Sequence, residues 1–79
     1  MLIQIQYFGQ LRSLGGPHSI ELDEGTTVEG LLNKLFQQTP SLALWNKHLL
    51  IAVGTDWVQR DHVVKLGDMI SLMPPVQGG

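Results

Sequence analysis

Thr26-Thr27-Val28-Glu29-Gly30-Leu31-Leu32-Asn33-Lys34-Leu35-Phe36-Gln37-Gln38-Thr39-Pro40 is the stretch on which the fold turns. Val28, Leu31, Leu32, Leu35 and Phe36 recur at helical spacing, so a helix here carries one apolar stripe. Thr26 followed by Glu29 has the spacing of a capping box, which predicts satisfied N–H groups at the helix start. Pro40 stops the helix. Gly30 inside it costs about 1 kcal/mol relative to alanine, which points to something packed close at that position. A single striped helix has to bury its stripe against another layer, and the flanking sequence supplies a sheet.

Working outward, Leu2 to Phe8 alternates, with Ile3, Ile5 and Tyr7 on one face and Gln4 and Gln6 on the other, the pattern of a half-buried strand. Gly9 to Leu14 is long enough for one helical turn before Gly15-Gly16-Pro17. Alternation resumes at His18 to Leu22, and the two strands can pair as a hairpin with a long loop. Beyond the helix, Ser41 to His48 fits neither period, although Leu42, Leu44 and Trp45 allow a second short helical turn. Leu49 to Val53 is continuously apolar and reads as a strand covered on both faces. Gly54-Thr55-Asp56 turns the chain into a short strand at Trp57 to Gln59. Val63 to Leu66 then leads to the turn at Gly67-Asp68. Met69 to Met73 is the last strand, placing Ile70 and Leu72 opposite Met69, Ser71 and Met73. Strand, strand, helix, strand, short strand, strand predicts an α+β domain in which one main helix covers one face of a mixed sheet of about five strands. The other face is left open to solvent or to a partner.

Composition narrows the function classes. The 79 residues suffice for one domain, and an apolar content of 43% argues against disorder. Only 15% of residues are charged, so part of the surface must be neutral or apolar, which hints at a partner. A net charge of -2 offers no basic footprint for nucleic acid. No apolar run approaches the length of a membrane span, and the expected location is the cytosol. Cysteine is absent, which excludes disulfides, thiolate metal sites and a cysteine nucleophile. His18, His48 and His62 show no ligand spacing, and Asp56, Asp61 and Asp68 lie in or near turns, where aspartate is common for local reasons.

What remains is the C-terminal stretch Pro74-Pro75-Val76-Gln77-Gly78-Gly79, read as an extended tail after a domain of residues 1–73. Two prolines fix φ and end the strand pairing, and two glycines give a tip without Cβ atoms. Fully extended, the six residues span roughly 20 Å, enough to enter a site inside another protein. The chemical group at the tip is the carboxylate of Gly79.

Tyr7-Phe8-Gly9-Gln10-Leu11-Arg12, Leu66-Gly67-Asp68 and Ser71-Leu72-Met73-Pro74-Pro75-Val76-Gln77-Gly78-Gly79 together resemble the signatures of the molybdopterin synthase small subunit, within the ubiquitin-like β-grasp sulfur carriers. The resemblance spans the whole chain. It implies a β-grasp fold and a carrier, not a catalyst, that binds no cofactor itself. An E1-like adenylyltransferase would use ATP to activate Gly79. A sulfur donor of the cysteine desulfurase or rhodanese type would then leave a C-terminal 1-thioglycine. The large synthase subunit, as a heterotetramer, would receive the tail and supply the catalytic side chains that build molybdopterin from cyclic pyranopterin monophosphate. Related members carry sulfur for the thiazole of thiamine, or modify proteins, and those remain the alternatives.

The residues singled out on this basis are Gly79 and Gly78 for the chemistry, with Arg12, Trp57, Met73, Pro74, Pro75, Val76 and Gln77 for partner binding. Two positions depart from the family pattern. Gly54 stands where asparagine is frequent, and Leu72-Met73 stands where the strand is often aromatic.

Overall fold

The computed structural model describes residues 1–75. Its elements run β1 (Leu2–Tyr7), a 3-10 turn (Gly9–Ser13), β2 (Ser19–Glu21), α1 (Val28–Gln38), α2 (Pro40–Ala43), a 3-10 turn (Asn46–His48), β3 (Leu50–Val53), β4 (Asp56–Trp57) and β5 (Met69–Met73). The five strands form one sheet in the order β2-β1-β5-β3-β4. β1 and β5 pair in parallel, with Gln4 opposite Met69 and Tyr7 opposite Leu72, while every other pairing is antiparallel. This is the mixed, helix-covered sheet that the sequence predicts.

The register fixes which residues share a face. Ile3, Ile5, Tyr7, Ile20, Ile51, Ile70 and Leu72 point toward α1, whose Val28, Leu31, Leu32 and Leu35 are fully buried against them. Removing these side chains from water supplies roughly 1.5–3 kcal/mol apiece, the main stabilising term in a chain without disulfides. Phe36, the last member of the helical stripe, and Trp45 are only partly buried, at the margin of the core.

The helix begins one residue later than a capping box at Thr26 requires. Thr27 is the N-cap, and its Oγ1 accepts from the Gly30 N–H at 3.2 Å. Thr26 instead donates its hydroxyl to the Asp23 carbonyl at 2.7 Å, closing the preceding turn. Glu29 is then too early in the helix to reach back, and its carboxylate accepts from Arg60 Nη1 at 3.0 Å. The close packing expected at Gly30 is present, because a Cβ there would lie 2.9 Å from Thr26 Cγ2. Pro40 occupies the first position of α2, where a missing N–H costs nothing.

Two more expectations need correction. β4 covers Asp56–Trp57 only, since the chain turns away after Val58: the Gln59 carbonyl accepts from the His62 N–H, and the Arg60 carbonyl accepts from the Glu29 N–H of α1. β3 is not covered on both faces, because Leu50 points away from the helix and is 36% exposed. The β3–β4 turn explains the departure at Gly54. That residue has φ +60° with no atom near a notional Cβ, so only backbone conformation selects it. Asparagine is the other residue that tolerates this region, so glycine is a conservative exchange there.

Candidate functional site

Because β5 is central and parallel to β1, the chain leaves the sheet beside the C-terminal end of β1. The Phe8 N–H donates to the Leu72 carbonyl at 3.0 Å, extending the ladder by one step, and the 3-10 turn then begins at Gly9. Gly9 has φ +57°, and a Cβ there would stand 3.0 Å from Pro74 Cγ. The tail root is therefore seated against a glycine that both the backbone angle and the clearance demand. Pro74 and Pro75 are half-buried, and Arg12 stands exposed on the turn that follows Gly9. Val76 and Gln77, expected to bind a partner, and Gly78 and Gly79, expected to carry the chemistry, lie outside the described residues.

The turn is held from behind by Tyr7. Its hydroxyl donates to the Pro17 carbonyl at 2.7 Å, and Gly16 lies so close that a Cβ would fall 2.4 Å from the Tyr7 oxygen. Burial pushes the Tyr7 phenol up to about 12, so it stays neutral and serves as a hydrogen-bond donor. Tyr7 in the resembling signature thus has a structural task here, fixing the far end of the loop that begins at Gly9, the residue against which Pro74 sits.

On the sheet face away from α1, the cross-strand pairs Leu50–Met73 and Ala52–Trp57 set out an apolar surface. Phe8 joins it, since its backbone is extended and continues the alternation of β1. Ala52 and Ser71 are small and buried in the middle of this face, forming a floor between larger neighbours. Trp57 is 65% exposed and Phe8 is exposed as well, while Met73 is half-buried. Two strand spacings and two residues separate Trp57 from Met73, roughly 12 Å across the face. A groove of about 270 Å³ continues past the Trp57 edge, lined in part by Leu50, Gln59 and Arg60. An exposed apolar face beside a tail root is what a domain needs if it docks by the face and presents the tail.

Of the residues singled out in the sequence, Trp57 and Met73 share this face and Pro74 adjoins it. Arg12 lies on the flanking turn, and among the described residues no ion pair involves it. Leu50 was missed because its strand was read as buried on both sides. Phe8 was not singled out either, although the period-2 pattern of β1 runs on through it and places it on the open face. Arg60 carried no signal. It donates Nη1 to Asn46 Oδ1 at 2.8 Å and to Glu29, and Nη2 to the Asn46 carbonyl, tying the β4 exit to α1 and the second 3-10 turn. Among the described residues no cluster of histidine and carboxylate side chains could hold a metal ion, and no helix is long and apolar enough to cross a membrane.

The ThiS family model matches residues 5–79. The molybdopterin synthase sulfur carrier subunit of Chlamydomonas reinhardtii is 30% identical, over 100% of this chain and 100% of that one. Among solved structures, the putative molybdopterin converting factor subunit 1 from Pyrococcus furiosus superposes with a TM-score of 0.82 at 27% identity, covering 95% of this chain and 98% of that one. A chain in the complex of subunits 1 and 2 of molybdopterin-converting factor from Helicobacter pylori 26695 matches over 100% of both chains, at TM-score 0.68 and 25% identity. SAMP1 from Haloferax volcanii superposes at TM-score 0.80 and 22% identity over 100% of both chains, a likeness of fold. A ubiquitin-like sheet with its tail rooted at Gly9, together with a family match that runs from β1 to Gly79, leads to one conclusion: the chain belongs to the ThiS family, whose members include the molybdopterin synthase sulfur carriers.

Proposed function

We propose that this chain is the sulfur carrier subunit of molybdopterin synthase. The observation that carries the reading is the placement of an apolar docking face, Phe8, Leu50, Trp57 and Met73, directly beside the root of a Pro-Pro-Val-Gln-Gly-Gly tail. The full-length similarity to named sulfur carrier subunits supports it.

In this reading the Gly79 carboxylate is the working group. Its charge is shared over two oxygens, so it resists nucleophilic attack until an activating enzyme joins it to AMP, releasing pyrophosphate from ATP. Sulfur from a donor then attacks the acyl carbon and AMP departs, leaving a thiocarboxylate. That sulfur is nucleophilic and attacks a carbon of cyclic pyranopterin monophosphate in the pocket of the large subunit, where a C–S bond replaces a C–O bond and the oxygen leaves as hydroxide or as phosphate ester oxygen. A second thiocarboxylated carrier supplies the second dithiolene sulfur in the same way. Hydrolysis of the resulting thioester linkage releases the sulfur to the pterin and restores the carboxylate. No side chain of this chain replaces the terminal sulfur, since it contains no cysteine. Trp57, Met73 and Leu50 anchor the docked face, Arg12 contributes at its flank, and Pro74 and Pro75 aim the tail with little entropy left to lose.

The deciding experiment is intact-mass spectrometry after incubation with the activating enzyme, ATP and a sulfur source, followed by addition of the large subunit and pterin. One oxygen of the carrier should be replaced by sulfur and then restored as molybdopterin forms. A chain lacking Gly79 should stay folded and do neither. Molybdopterin formation by that truncated chain would end the proposal, and transfer only to a thiazole synthase would move the carrier to the thiamine pathway.

A further inference from the structure

The ladder between β3 and β4 stops half-made. The Val58 N–H donates to the Ile51 carbonyl at 3.0 Å, and among the described residues the Ile51 N–H makes no hydrogen bond in return. Its direction is fixed by the neighbouring bonds. In an antiparallel pair each residue turns both backbone groups to one side, and the next residue turns its own to the other. The Gly54 N–H donates to the Met69 carbonyl, so Leu50 and Ala52 face β5 and Ile51 faces the β4 side, where its carbonyl receives Val58. Leu49 faces the same way, and among the described residues its N–H and carbonyl are likewise unpaired. Ile51 and Leu49 are both buried, at 5% and 8% exposure. Buried main-chain donors without an acceptor are rare, because the group has given up water and gained nothing.

These backbone groups border the groove of about 270 Å³ beside Trp57. The chain itself is drawn off after Val58, with the Arg60 carbonyl held by the Glu29 N–H and its guanidinium by Asn46 and Glu29. A donor and an acceptor spaced along one strand edge match the carbonyl and N–H of another extended chain, the pairing by which peptides add to sheets. A helix, about 10 Å across, is too thick for the groove. Leu50 and Trp57 line the groove and the docking face alike, so a partner that covers the face reaches the groove as well. We propose that a short extended segment of the large synthase subunit pairs with the free edge of β3, its main-chain carbonyl accepting from the Ile51 N–H. The inference rests on the sulfur-carrier reading and adds to it how the docked face is held in register. Apolar cover on Trp57 and Leu50 supplies affinity, while the main-chain bond fixes where the partner sits along β3. Leu50 pairs with Met73, the residue before the tail root, so fixing that position also aims the tail.

Amide hydrogen exchange, followed by NMR on the isotope-labelled full chain alone and with unlabelled large subunit, tests it. Ala52 is the internal standard, because its N–H faces Ser71 of β5 in both states and registers any general stabilisation by the partner. In the free chain Ile51 should exchange at least about tenfold faster than Ala52 after correction for intrinsic rates, and in the complex the two should agree to within about threefold. A gap that persists in the complex overturns the proposal. So does an Ile51 amide already as slow as Ala52 in the free chain, whether residues 76–79 or a second copy supplies the acceptor. Failure to form any complex is a different result, since it removes the sulfur-carrier reading and the inference falls with it.

Discussion

Trp57→Ala separates docking from folding. Tryptophan buries up to about 250 Å² when fully covered, and Trp57 is 65% exposed, which leaves about 160 Å² available to a partner. At about 25 cal/mol per Å² the ceiling is about 4 kcal/mol, and covering half of that area gives about 2 kcal/mol, a 30-fold change in affinity. The part already shielded by the chain itself amounts to about 90 Å², which caps the folding cost at about 2 kcal/mol by the same coefficient. Trp57 sits on a two-residue edge strand and is not part of the core cluster, so the variant should remain folded. Isothermal titration against the large synthase subunit should show Kd rising about 30-fold, with urea unfolding still cooperative. A Kd within threefold of wild type would refute the assignment of this face as the docking surface.

Other expectations bear on the tail root and its support. Gly16→Ala forces a methyl to within 2.4 Å of the Tyr7 oxygen and should cost about 2–4 kcal/mol in urea unfolding, part of it relieved in a Tyr7→Phe background. Gly9→Ala should cost about 1–2 kcal/mol from its positive φ, more if Pro74 cannot yield, with the excess read as slower thiocarboxylation. The Tyr7 phenol is raised to about 12 when folded and ionises near 10 when unfolded, so between those values the unfolded chain holds fewer protons. The Tyr7 contribution should therefore be constant below pH 10 and fall by roughly 2–3 kcal/mol as pH rises to 12, a loss that Tyr7→Phe removes when the two pH profiles are compared. Arg60→Ala leaves Asn46 and Glu29 without their donor and should lower stability by about 1–3 kcal/mol, measured by thermal unfolding.

Periodicity made the strands and the helix readable, because each buries only one side. Val28, Leu31, Leu32 and Leu35 all lie where the stripe puts them, and the open face carries Met73 opposite Leu72 as alternation requires. The helix start was misplaced because Thr26 and Thr27 are chemically equivalent candidates, and the choice between them depends on the Asp23 turn. Leu50 was misread because an apolar run has no phase of its own, and only pairing with Met73 assigns it a side. Arg60 was invisible for a different reason. Its partners Asn46 and Glu29 are 14 and 31 residues away, a separation that no local pattern encodes. The tail was legible as chemistry, through its prolines and glycines, while the seat it rests on at Gly9 required the parallel pairing of β1 with β5 to be known.

That pairing has a mechanical consequence. β5 is hydrogen-bonded along both edges, to β1 running the same way and to β3 running against it. A pull along the direction in which the chain leaves β5 loads two ladders in shear, all their bonds resisting together, where an outermost strand would unzip one bond at a time. On the proposed function, withdrawing the tail from its partner after each delivery pulls on a body that does not unravel, which is what a part meant for repeated use must withstand.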